Sequence, residues 1–119
     1  MATKSGWTIE YFRIAKKEMR KEPDLIQAKF ARIFALIEDK GYDKAPSLDI
    51  KKLTDKIWEL RVWGRGTTSR ALYLLFVGRR VIILHVFTKK KQHTEQHHIE
   101  LALQRAKEFE NAEQQKKRL

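Results

Sequence analysis

The sequence predicts an α+β domain in which a small antiparallel-rich sheet of about four strands is flanked by N-terminal and C-terminal helices. Three observations predict it. Residues 24–40 repeat apolar side chains at helical spacing, residues 56–88 hold three apolar runs separated by short turn-like strings, and helical periodicity returns after Thr94.

"WTIEYF", from Trp7 to Phe12, alternates briefly and reads as a first strand. Between Asp24 and Lys40, the residues Ile26, Phe30, Ile33, Phe34 and Ile37 recur three and four apart, with Pro23 before them and Gly41 after them, which makes a helix. "GYDKAPSLD" is a loop, and "IKKLTDK" is a basic approach to the next strand. Lys56 to Trp63, Arg70 to Val77 and Val81 to Thr88 form three strands whose connections, "GRGTTS" and "GRR", are short enough to make neighbours antiparallel. Thr94 is a suitable N-cap with Glu95 behind it, and Ile99, Ala102, Leu103, Ala106 and Phe109 form the stripe of a second helix. The whole chain, 1–119, reads as one domain whose last residues, 111–119, form a frayed tail almost without apolar content.

Pairing Trp63 with Arg70, and Val77 with Ile82, sorts the three strands into two faces. One carries Trp58, Leu60, Val62, Ala71, Tyr73, Leu75, Val77, Ile82, Leu84 and Val86, and packs against the helices. The other gathers Arg61, Trp63, Arg70, His85, Phe87 and Lys89, with Ile57, Leu72, Leu74 and Ile83 toward one end, and is expected to be an open cationic surface.

The charge supports that expectation. The net charge is +11, and residues 51–91 alone hold eleven Lys and Arg against Asp55 and Glu59, which is +9 of the total. Such an excess favours a polyanionic partner. The chain has no cysteine, so disulfide frameworks and thiolate sites are excluded. The longest apolar runs, "ALYLLFV" and "VIILHVF", fall far short of the ~20 residues a membrane span needs, and the N-terminus has no apolar signal segment, so a cytoplasmic protein without membrane association is expected.

Guanidinium groups on strands suit phosphate oxygens, so Arg61 and Arg70 are candidate phosphate ligands that would also relieve charge in a phosphoryl transition state. The alternative is an exposed face with arginines lying over it. Lys89, Lys90 and Lys91 extend the same face, with Lys51 and Lys52 approaching from the preceding loop; crowded cations lower one another's pKa, which makes a lysine usable in proton transfer. The bland reading of the triple lysine is protection of a strand end from edge pairing. Trp63 and Phe87 are candidates for base stacking. His85 fits a partly buried residue with a local hydrogen bond, and His93 fits the rim of the basic face. His93 and His97 have i, i+4 spacing, but nothing beside them completes a metal site.

From Lys52 to Phe109 the ordered pieces "KKL", "IWELR", "SRALYLLF", "IILHVFTKK" and "IELALQRAKEF" resemble the phage-derived HigB branch of the RelE-like toxins of bacterial type II toxin–antitoxin systems. The resemblance extends over roughly residues 7 to 110. It implies a RelE-like fold and an endoribonuclease without cofactor or metal that cleaves messenger RNA, commonly on the ribosome. It also implies a cognate antitoxin, usually a HigA-like helix-turn-helix protein. By position it makes Arg61, Arg70, Lys89 and Lys90 the catalytic candidates, with Lys51, Lys52, Trp63, Phe87, Lys91 and His93 as RNA-binding candidates. The sequence departs from the pattern at His93, where lysine is frequent, and at Glu95, where proline is frequent. A binding module for RNA or DNA without catalysis, or a toxin homologue that has lost activity, is the competing expectation; a purely protein-binding partner is a third.

Overall fold

A computed structural model describes residues 3–45, 48–89 and 94–118. Strand β1 (Thr8–Tyr11) runs directly into helix α1 (Arg13–Arg20), and α2 (Asp24–Lys40) follows after a short turn. Strands β2 (Ile50–Lys52), β3 (Ile57–Trp63), β4 (Thr68–Phe76) and β5 (Arg80–Lys89) come next, then helix α3 (Gln96–Lys117). The strands form one sheet in the order β1-β5-β4-β3-β2. β3, β4 and β5 are antiparallel meanders, β2 adds antiparallel to β3, and β1 lies parallel to β5.

Two elements exceed the sequence expectation of about four strands and two helices. β2 is only three residues long and bears two lysines, too little for a period-two signal. α1 buries Ala15 and Met19, which sit four apart, and its remaining positions are mostly cationic, so its stripe is one residue wide. α1 lies along β5 beyond the end of β1, and the Val86 amide there donates to a carboxylate oxygen of Glu18 (3.0 Å) instead of to a neighbouring strand.

α2 covers one side of the sheet, where Phe34 and Ile37 line a small apolar gap with Leu60, Tyr73, Val81 and Ile83. Gly41 ends the helix with φ 98°, its amide donating to the Ile37 carbonyl (2.8 Å). The Tyr42 and Tyr73 hydroxyls, 2.6 Å apart, satisfy each other beside this layer. α3 covers the opposite side: Ala102 and Ala106 are buried, and Phe109 meets Phe76 edge-on at 5.2 Å.

The observed register corrects the expected one in three ways. Trp63 opposes Thr68 and Arg61 opposes Arg70, because a four-residue loop, closed by the Gly64 amide on the Thr67 carbonyl (3.0 Å), lets β4 start at Thr68. That slip of two keeps every side chain on its expected face. In the second hairpin, Phe76 opposes Arg80 across "VGR", where Gly78 and Arg79 take positive φ, so Val77 is an exposed turn residue and not core. A bulge between Leu72 and Tyr73 then makes Leu72 oppose His85 while Tyr73 opposes Ile83, so Ile83 joins the α2 side and Ile82 the α3 side.

α3 continues to Lys117, through most of the residues expected to form the tail. Arg80 holds it, binding Glu113 at 2.5 Å while its other nitrogens grip Glu10 at 2.6 and 2.8 Å.

Candidate functional site

Two rows of side chains cross β3, β4 and β5 at the end of the sheet where α3 begins. Arg61, Arg70 and Phe87 are register partners in one row; Trp63, Thr68 and Lys89 are partners in the next. Five of the residues singled out from sequence are thus neighbours. The expectation that they form an open surface is overturned, because α3 lies over this side of the sheet.

Arg70 is fully buried, and so is Glu59, which lies two residues before Arg61 on the same side of β3. A guanidinium in such a place needs a counter-charge. The two Glu59 oxygens divide the work: one accepts from Arg61 Nε at 2.7 Å, and the other faces Arg70 Nη1 at 3.5 Å. The Thr94 hydroxyl joins them, accepting from Arg70 Nη1 at 2.6 Å and donating to Glu59. Burial pushes the Arg70 pKa below the ordinary arginine value, with Glu59 opposing and Arg61 reinforcing the shift. Arg61 keeps 14% of its side chain exposed, so it is the rim of this cluster while Arg70 is its floor.

The other sequence candidates divide. Lys89 is close-packed, 7% exposed, and pairs with Glu95 at 2.9 Å. Trp63 is half exposed; its indole N–H donates to Asp49 (2.8 Å), which anchors the ring, and its carbonyl accepts from Lys29 (2.9 Å). Phe87, a candidate for base stacking, is a covered ring, since the His98 imidazole lies parallel to it at 3.7 Å and 3°, and His85 stacks at 4.8 Å. Lys51 and Lys52 are both exposed, but Lys51 opposes Glu59 and Lys52 opposes Trp58, so only Lys51 shares a side with the arginines. The Lys52 ammonium sits 5.3 Å over the Trp58 ring on the other side. Lys90, Lys91 and His93 lie outside the described residues.

Sequence reasoning missed Glu59, Glu18, His98 and Arg105. Glu59 had a visible signal, a carboxylate in phase with Ile57 and Arg61 in an otherwise apolar strand, and Arg105 had another, a cation between Ala102 and Ala106. Both polar heads are buried in ion pairs. Glu18 could not be placed without α1. His85, expected to be partly buried with a local hydrogen bond, is buried, and its hydrogen bonds run instead to Glu18 and His98, both remote in sequence.

The model of the family described as Phage derived protein Gp49-like (DUF891) matches residues 17–107. The chain belongs to this family. The matched span of the Gp49-like protein runs from α1 through most of α3, so it contains both rows of the site. Among solved structures, the free E. coli toxin RelE, with two arginines replaced by alanine, superposes with a TM-score of 0.60 at 12% identity, covering 84% of this chain and 97% of that one. At that identity the likeness shows the fold: the Gp49-like chain has the RelE architecture. No curated protein matches. Among the described residues, no helix is long and apolar enough to cross a membrane.

Proposed function

We propose that this Gp49-like protein is the toxin of a bacterial type II toxin–antitoxin pair, of the HigB type. It acts in the cytoplasm as a metal-independent endoribonuclease on messenger RNA, at the ribosome, and thereby arrests translation. The observation that carries the reading is the Arg61–Arg70 row on a RelE fold, backed by a charge excess of +9 confined to residues 51–91. A single RNA strand lying across that end of the sheet would meet Arg61 as a phosphate ligand, Trp63 as a stacking ring and the lysines that follow β5 as further cations. Arg70 supports this surface from beneath by holding Glu59 and, through it, Arg61.

Cleavage by the adjacent 2′-hydroxyl needs alignment, relief of charge on the phosphate, removal of one proton and delivery of another. Arg61 supplies charge relief, and Lys89 or Lys90 supplies the proton that the departing 5′-oxygen needs. A HigA-like helix-turn-helix antitoxin would silence the protein by covering or distorting this basic end.

A second reading, an RNA-binding module without catalysis, draws on the neutralisation of Arg70 by Glu59, which leaves less free charge at the site than the sequence suggests. Mapping RNA 5′ ends after induction in cells separates the two. New ends at discrete positions, lost with R61A, support the nuclease; intact messages in growth-arrested cells reject it.

A further inference from the structure

A second group of titratable side chains lies where α1, β5 and α3 meet. Glu18 accepts from His85 Nδ1 (3.0 and 3.1 Å to its two oxygens), from Arg105 Nη1 (2.9 Å) and from the Val86 amide (3.0 Å). Arg105 Nη1 also donates to the carbonyl of Leu84, beside the bulge, at 2.8 Å. On the other side of the ring, His85 Nε2 lies 2.8 Å from His98 Nδ1. A carboxylate at Nδ1 keeps the His85 proton there, which leaves a lone pair at Nε2. His98 then donates from Nδ1, and its own lone pair resides on Nε2, which no hydrogen bond engages among the described residues.

The chain Glu18–His85–His98 ends at the arginine row. His98 stacks on Phe87, the register partner of Arg70, and Thr94, one turn earlier, touches both Arg70 and Glu59. His85 is buried, and Glu18 and His98 are both partly buried.

We propose that His98 is the base that takes the ribose 2′-hydroxyl proton, with His85 and Glu18 as positioning residues behind it. The assignment rests on the ribonuclease reading above. His98 Nε2 accepts the proton; the 2′-oxygen forms a bond to the adjacent phosphorus as the bond from phosphorus to the 5′-oxygen breaks. The 5′-oxygen leaves with a proton from the Lys89 ammonium, giving a 2′,3′-cyclic phosphate and a 5′-hydroxyl. As His98 gains its proton, its Nδ1 proton can pass to His85 Nε2, so the positive charge comes to rest against the Glu18 carboxylate.

The surroundings keep the His98 ring uncharged. Burial holds the His98 pKa down to about 4, with His85, His97 and Lys89 acting in the same direction and Glu95 against them, while Arg105 lies behind Glu18. The imidazole is therefore unprotonated at neutral pH.

The test is single-turnover cleavage of a defined RNA from pH 4 to 8, with and without ribosomes, for wild type, H98Q and E18Q. Binding of the same RNA carrying 2′-O-methyl groups is measured alongside. Loss of the base should slow H98Q by about 100-fold or more with binding unchanged within about twofold. The rising acid limb of the wild-type rate should vanish in H98Q and shift in E18Q, a change that a purely structural role would not produce. Circular dichroism melts show whether each variant is folded, and nitrogen NMR of wild type reads the His98 tautomer directly. Equal rates and pH profiles for wild type and H98Q, or a His98 protonated at Nε2 and not Nδ1, overturn the assignment while the nuclease stands. A wild type that cuts no RNA overturns both.

Discussion

Arg61 and Arg70 stand directly opposite each other on β3 and β4, and Glu59 binds both. Two guanidinium groups at that separation repel, so the buried carboxylate between them is what permits the arrangement. The pairing makes Glu59 indispensable to a cluster whose sequence signature is only its arginines.

Replacing Glu59 by Gln should therefore destabilise the protein by about 3–5 kcal/mol, the usual consequence of leaving one buried charge without its partner. Urea unfolding measures it. The double variant E59Q/R70M should recover most of the loss, since an apolar chain of similar length needs no counter-charge. If the double variant is no more stable than E59Q, charge compensation is not what Glu59 does.

R61A, at the rim, should lower the urea midpoint by less than R70A does, since Glu59 loses one of its two cationic partners, and should weaken RNA binding uniformly across sequences. Removing one phosphate contact should reduce the slope of log affinity against log salt by about 0.7 for a single strand. R70A should show the opposite balance, a large loss of stability, because its partner Glu59 is left buried. Titration at several salt concentrations, alongside unfolding of the same samples, distinguishes the two arginines.

Acid should weaken the fold in two separate windows. His98 falls from an ordinary 6.5 to about 4, and Glu18 from 4.5 to about 2, so at both groups the folded protein binds fewer protons than the unfolded chain. Stability present above pH 6.5 is lost as pH drops toward 4 through His98, and stability present above 4.5 is lost as pH drops toward 2 through Glu18. For Glu18, the bonds from His85, Arg105 and Val86 outweigh its burial, which acts alone in the opposite direction. Urea midpoints measured against pH should flatten between 6.5 and 4 in H98Q and keep their decline below that.

Glu113→Ala should loosen the end of α3 without disturbing its beginning. Arg80 is the tie, and with it cut the amides of residues 111–117 should exchange about tenfold faster, the effect of losing one charge-assisted hydrogen bond. Hydrogen exchange read by mass spectrometry is sufficient. Unchanged exchange there would mean that the final turns are held by helix propensity alone.

How far the sequence disclosed this molecule depended on what each segment had to bury. α2, with five apolar residues at regular spacing, and β3 to β5, with long apolar runs, announce themselves because each buries a wide face. β2 buries almost nothing of its own and α1 only a stripe one residue wide, so both are fixed by neighbours, β2 by the β3 ladder and α1 by the edge of β5. The side on which the arginines lie was legible, since a slip of two in a hairpin preserves parity. Their burial was not, because the helix that encloses them begins some two dozen residues after Arg70, and its first described contact, Thr94 on Glu59, depends on no local pattern. The bulge beside Leu72 was equally silent, and it alone moved Ile82 and Ile83 to the sides opposite those expected.

β2 contributes three residues to the outer margin of the sheet, two of them exposed lysines. Had this margin been long, flat and oily, any neighbour could have hydrogen-bonded along it and extended the ladder from one molecule to the next. A second β2 docking there would instead bring ammonium groups against ammonium groups over a strip too brief to compensate. Through this margin, then, crowding should not recruit the molecule into fibres.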